Sequence, residues 1–122
     1  MKKSLTNQYL FLVRGAACDN SSLSPEKMQQ QMREVYAWID GLTKQGVMTA
    51  AQPLTPGGKV VSGKGGSVIS DGIAAESKEA VGGFFIVNAA TFDEAVNIAR
   101  TCPSFNHGAR LEVRQIANLN CD

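Results

Sequence analysis

Two segments of this chain are apolar on both faces, and the sequence offers only two helices to cover them. Tyr9, Phe11 and Val13 alternate with Leu10, Leu12 and Arg14, and Phe84 and Ile86 alternate with Phe85 and Val87. Successive side chains of a strand point to opposite faces, so both strands need apolar surroundings above and below. Ala109 to Ile116 differs: Ala109, Leu111 and Val113 make an apolar face, and Arg110, Glu112 and Arg114 a charged one. That pattern suits a sheet edge, whereas the first two suit its centre.

The remaining elements follow from local signals. Ser24-Pro25-Glu26 supplies a hydroxyl cap, a proline at the first helical position and an acid in the first turn. Met28, Met32, Val35, Ile39 and Leu42 then recur on one helical face. Asp40 and Lys44 form an i, i+4 pair, and Gly46 is a stop signal. The spacing predicts a helix over 24–45. Val47 to Gln52 reads as a weak strand. Lys59 to Ser62 and Ser67 to Ser70 read as hairpin arms around Gly63-Lys64-Gly65-Gly66. Residues 74–80 are ambiguous, and Val81 to Asn88 is a strand. Thr91 and Glu94 fit a capping box, and the helix they open ends near Thr101, before Pro103. The order is β-α-β-β-α-β with an inserted hairpin: an α+β, ferredoxin-like fold with an antiparallel sheet and two helices on one face. The whole of 1–122 reads as one domain, with its core at about 8–116 and a tail over 117–122.

Two helices cover one face of a four-stranded sheet. The other face would show Leu, Phe and Val side chains to water, each forgoing roughly 1.5–3 kcal/mol of burial. A patch of four or five exceeds what an ordinary monomer surface carries. The expectation is a homodimer, sheet against sheet about a twofold axis. The competing arrangement lays hairpin 59–70 over that face within one chain.

Composition excludes several function classes. Lys+Arg is 12 and Asp+Glu 11, a net charge of +1, which argues against a nucleic-acid partner. One histidine excludes a metal site needing two imidazoles, and neither metal nor cofactor is expected. Three cysteines, Cys18, Cys102 and Cys121, form no CxxC, which suits a reducing, cytoplasmic setting. Met1-Lys2-Lys3 opens like a signal peptide, but the apolar run Tyr9 to Val13 is too short for one and for a membrane span. Gly58 to Gly65 has the form GxxxxGK. Gly65 stands where a magnesium-binding hydroxyl belongs and no helix follows, so nucleotide binding there is rejected.

Asp71-Gly72-Ile73-Ala74-Ala75-Glu76-Ser77-Lys78-Glu79-Ala80-Val81-Gly82-Gly83-Phe84 resembles the hallmark of the YCII-related family, DGPF subgroup, DGPFAE[ST]KE followed by an apolar pair, GG and an aromatic. Leu23-Ser24-Pro25-Glu26, Pro53-Leu54, Gly57-Gly58-Lys59-Val60-Val61 and Leu111-Glu112-Val113-Arg114 fit the same pattern, so the resemblance spans about residues 8–116. Ile73-Ala74 replaces the family's Pro-Phe, and Arg114-Gln115 its closing Arg-Pro. The resemblance implies a dimeric α/β-barrel. It implies no single activity: some relatives are proposed enzymes with a His–Asp pair, one branch is linked to dehydrochlorination of aromatic diols, and DGPF relatives accompany extracytoplasmic-function sigma factors. Residues 1–70 contain no histidine, so the His–Asp pair does not carry over.

The candidate residues each have two readings. Asp71 is a candidate catalytic acid or base, tuned by burial or by Arg14; otherwise its carboxylate bonds a turn. Arg14 could clamp an anion or pair with Asp71, Glu76 or Glu112. Glu76 and Lys78, in the hallmark, are candidate ligand contacts or a structural ion pair. His107, a candidate ligand contact, is the one side chain of a type whose unperturbed pKa lies near neutrality, but loop histidines are commonly idle. Cys102 follows a helix, where the dipole disfavours a thiolate. Trp38 fits a pocket wall or partial core packing. Two functions follow. One is a non-catalytic module binding a partner or a small anionic or phenolic ligand in a regulatory or stress context. The alternative is a cofactor-independent lyase or isomerase with Asp71 as acid or base and Arg14 as anion clamp.

Overall fold

A computed structural model describes residues 6–15, 24–55, 57–71 and 81–117. Its elements are β1 (Asn7–Gly15), α1 (Pro25–Lys44), β2 (Met48–Pro53), β3 (Lys59–Ser62), β4 (Val68–Asp71), β5 (Val81–Ala89), α2 (Phe92–Ala99) and β6 (Ala109–Gln115). The ambiguous stretch 74–80 lies outside the described residues. The loop expected before β6 contains a 3-10 turn at Pro103–His107.

The sheet runs β2-β5-β1-β6 and every neighbour is antiparallel. This is the ferredoxin-like order, with the two doubly apolar strands central and the half-charged strand at an edge. Residues of β1 and β5 alternate between full and partial burial. Tyr9, Phe11, Val13, Phe85, Val87 and Ala89 face the helices and form the core with Met48, Ala95, Ala99, Cys102 and Ala109. Leu111 and Val113 complete it from β6.

The helix ends are fixed as their sequences dictate. The Ser24 hydroxyl accepts from the Lys27 N–H at 3.2 Å. The Thr91 hydroxyl accepts from the Glu94 N–H at 3.1 Å, and Glu94 reaches back to accept from the Ala90 N–H at 3.3 Å. Asp40 and Lys44 pair at 3.0 Å. Gly46 takes φ +76°, which glycine adopts without steric cost, and turns the chain into β2.

The opposite face carries Leu10, Leu12, Phe84 and Ile86. Leu10 stands opposite Ile86 and Leu12 opposite Phe84 in the β1–β5 register. All four are only partly buried. The hairpin β3–β4 does not cover them as the competing arrangement required. Val60, Val61, Val68 and Ile69 are themselves 49%, 61%, 51% and 67% exposed.

Candidate functional site

β1 and β2 end, and β5 and β6 begin, at the same end of the sheet. A cleft of about 340 Å³ opens there between α1 and the helix-side face of β2 and β5. α1 has no fully buried residue. Trp38, Ile39, Leu42 and Val35 pack on the core, while Met32 and Tyr36 stay exposed at the rim of the gap. Met28, Met32, Val35 and Ile39 form the helical wall. Val13, Ala51 and Phe85 form the floor, and Pro53, Leu54, Gly82 and Gly83 the mouth. Polar residues of the lining are Gln31, Tyr36, Gln52 and Ser104; Gln52 pairs with Phe84, so its side chain lies on the open face and it meets the mouth through its backbone. No carboxylate, histidine, lysine or arginine lines the cleft among the described residues.

Gly83 shapes the mouth. A Cβ there would lie 2.9 Å from the Gln52 carbonyl oxygen and 3.3 Å from the Pro53 Cα, both backbone atoms of the paired strand. The hallmark's second glycine is thereby tied to a close approach of β5 and β2. Gly83→Ala is expected to destabilise the chain by about 1–3 kcal/mol, because backbone must move to admit the methyl group. Urea denaturation checks this; a midpoint equal to wild type contradicts it.

The sequence-predicted residues lie elsewhere. Arg14 leaves β1 on the open face and donates from Nε to Glu112 at 2.8 Å. Arg114 donates to the other Glu112 oxygen at 3.4 Å. The Arg14 hydrogen bond is the main cause that holds the Glu112 carboxyl below its usual range; partial desolvation opposes it, and the nearby positive charges assist. Asp71 ends β4, is 86% exposed as a side chain, and pairs with Lys59 across the hairpin at 2.6 Å. The Asp71 side chain stands in solvent beside Lys59, and Arg14 pairs with Glu112. Glu76 and Lys78 lie outside the described residues. His107 is the last residue of the 3-10 turn.

Two other candidates resolve into structure. Trp38 donates from its indole N–H to the Thr101 hydroxyl at 2.7 Å and stands edge-on to Phe85 at 5.0 Å. It belongs to the core. Cys102 is buried, and burial pushes its thiol up against the opposing hydrogen bonds with Ser104. A protonated thiol is a poor nucleophile. Sequence reasoning missed the cleft itself. Its signal was the pair Met28 and Met32, read as core because helical spacing does not report how far a helix stands from its sheet.

Among the described residues, no three His, Cys, Asp or Glu come together as a metal site would require, and no helix is long and apolar enough to cross a membrane. Several known proteins are similar to this chain. An uncharacterised protein of Rhizobium meliloti (strain 1021) is 29% identical over 102 residues, covering 80% of this chain and 82% of that protein. The 5-chloro-2-hydroxyhydroquinone dehydrochlorinase TftG of Burkholderia phenoliruptrix AC1100, solved in complex with 2,5-dihydroxybenzoquinone, aligns with a TM-score of 0.47 at 15% identity, over 91% of this chain and 94% of its own. The model of the YCII-related domain matches residues 9–120, from within β1 to beyond β6, and the chain belongs to the YCII-related family.

Proposed function

We propose that the chain is a homodimeric, non-catalytic binding module of a regulatory kind that holds a small neutral phenolic molecule in the cleft between α1 and β2–β5. The observation that carries this reading is the cleft's lining. Its volume of about 340 Å³ suits a small aromatic molecule. Its walls are apolar, and among the described residues the polar side chains on its helix-side face, those of Gln31, Tyr36 and Ser104, are all neutral. Such a set can orient a phenolic O–H, while it offers a carboxylate no compensating charge.

Proton-transfer catalysis needs an acid or base within hydrogen-bond reach of the reacting group. The lyase or isomerase reading requires Asp71 and Arg14 to face one ligand. They are bonded to Lys59 and Glu112 respectively, on different elements, and neither lines the cleft. The binding reading therefore has the better support. Pairing of two copies has separate support in the open face of Leu10, Leu12, Phe84 and Ile86, which no element among the described residues covers.

Titration with phenol, catechol and resorcinol, followed by thermal melting and calorimetry, is expected to raise the melting temperature with occupancy, while benzoate leaves it unchanged. Val35→Trp fills the cleft and is expected to abolish the shift with the circular dichroism spectrum retained. Benzoate binding in place of phenols, unaltered binding by Val35→Trp, or consumption of the phenol would each contradict the reading.

A further inference from the structure

We infer that the hairpin β3–β4 is a dimer arm, which docks on a second copy of this chain and extends the contact made by the open sheet face. The inference rests on the pairing proposed above and adds a surface that the sheet face does not include.

The hairpin is a built element. Its register is fixed from Lys59 opposite Asp71 to Ser62 opposite Val68, and the Lys59–Asp71 pair closes its base at 2.6 Å. Its turn uses Gly63 at φ +81°, where a Cβ would lie 2.9 Å from the Val68 side chain. Yet among the described residues no other strand or helix packs on it. Val61 and Ile69 stand opposite one another on one face, and Val60 and Val68 lie diagonally on the other. All four are half to two-thirds exposed. A two-stranded hairpin alone is marginal in water, so an arm with apolar residues on both faces requires an outside surface.

The second copy is the occupant the observations favour. It is present at fixed stoichiometry, and a net charge of +1 per chain sets up little repulsion between copies. The same chain also carries the uncovered face of Leu10, Leu12, Phe84 and Ile86. The four hairpin residues, half to two-thirds exposed, leave on the order of 350 Å² in water. Two arms and the surfaces they cover would then bury up to about 1,400 Å², near the 1,200 Å² at which stable interfaces begin. The sheet faces add to that area, and one twofold interface satisfies both.

The test compares wild type, Val61→Thr/Ile69→Thr and Leu12→Glu. Threonine keeps strand propensity and removes the apolar contact. Sedimentation over a concentration series is expected to show at least tenfold weaker association for the double variant, with circular dichroism unchanged. Hydrogen exchange is expected to slow at least tenfold for amides 60–62 and 68–70 in the wild-type dimer relative to monomeric Leu12→Glu, a readout that survives if the double variant misfolds. Wild-type affinity in the double variant, or equal hairpin exchange in monomer and dimer, overturns the arm. If Leu12→Glu is monomeric in that case, the sheet pairing stands without it. A wild-type chain that is monomeric throughout the series overturns both.

Discussion

Leu12→Glu is expected to yield a folded monomer. Leu12 sits at the centre of the open face, opposite Phe84 on β5 and opposite Glu112 on β6. In a single chain it is partly exposed, so a carboxylate there keeps its hydration and the core beneath is untouched. In a sheet-to-sheet pair the same carboxylate would be buried against apolar side chains and beside a second carboxylate. An unpaired buried charge costs about 3 kcal/mol or more, which is at least a hundredfold in the dimer dissociation constant. Sedimentation equilibrium, with circular dichroism as the control for folding, reads this directly. A variant that associates as tightly as wild type would show that this face is not the interface.

Phe11→Ala is expected to act through the opposite face of the same strand. Phe11 is fully buried, paired in register with Phe85 and Val113, within the core that the helices cover. Removing its ring loses the burial of the removed atoms and leaves a cavity that antiparallel neighbours cannot close. The expected loss is about 3–5 kcal/mol, a large part of the total stability of a domain this size. Urea denaturation at a protein concentration held equal to wild type measures it. A loss under about 1 kcal/mol would mean that β1 does not pack as described. The two neighbouring positions are expected to separate the effects: Phe11 to govern folding, and Leu12 association.

Period-two and period-four patterns made the architecture legible. Tyr9 to Val13 and Phe84 to Val87 placed two strands at the centre, and Arg110, Glu112 and Arg114 placed the last at an edge. Ser24, Pro25, Thr91 and Glu94 marked the helix starts because capping is a local interaction written within four residues. The site was less legible for the same reason. Whether Arg14 meets Asp71 or Glu112 depends on which strands are neighbours and on where the hairpin goes. Glu112 lies on β6, one step along the open face from Arg14, and the two bond at 2.8 Å. Asp71 is carried off by the hairpin to Lys59. The cleft was hidden because Met28 and Met32 have the spacing of a packed stripe. The gap beneath them is a tertiary distance between α1 and the sheet, which helical spacing does not encode.

Light scattering of the wild-type chain at micromolar concentration, coupled to size exclusion, bears most directly on the central claim that the uncovered sheet face joins two copies. The account predicts a mass twice the 13.0 kDa of one chain. A mass of 13.0 kDa, held across the micromolar range, would contradict it.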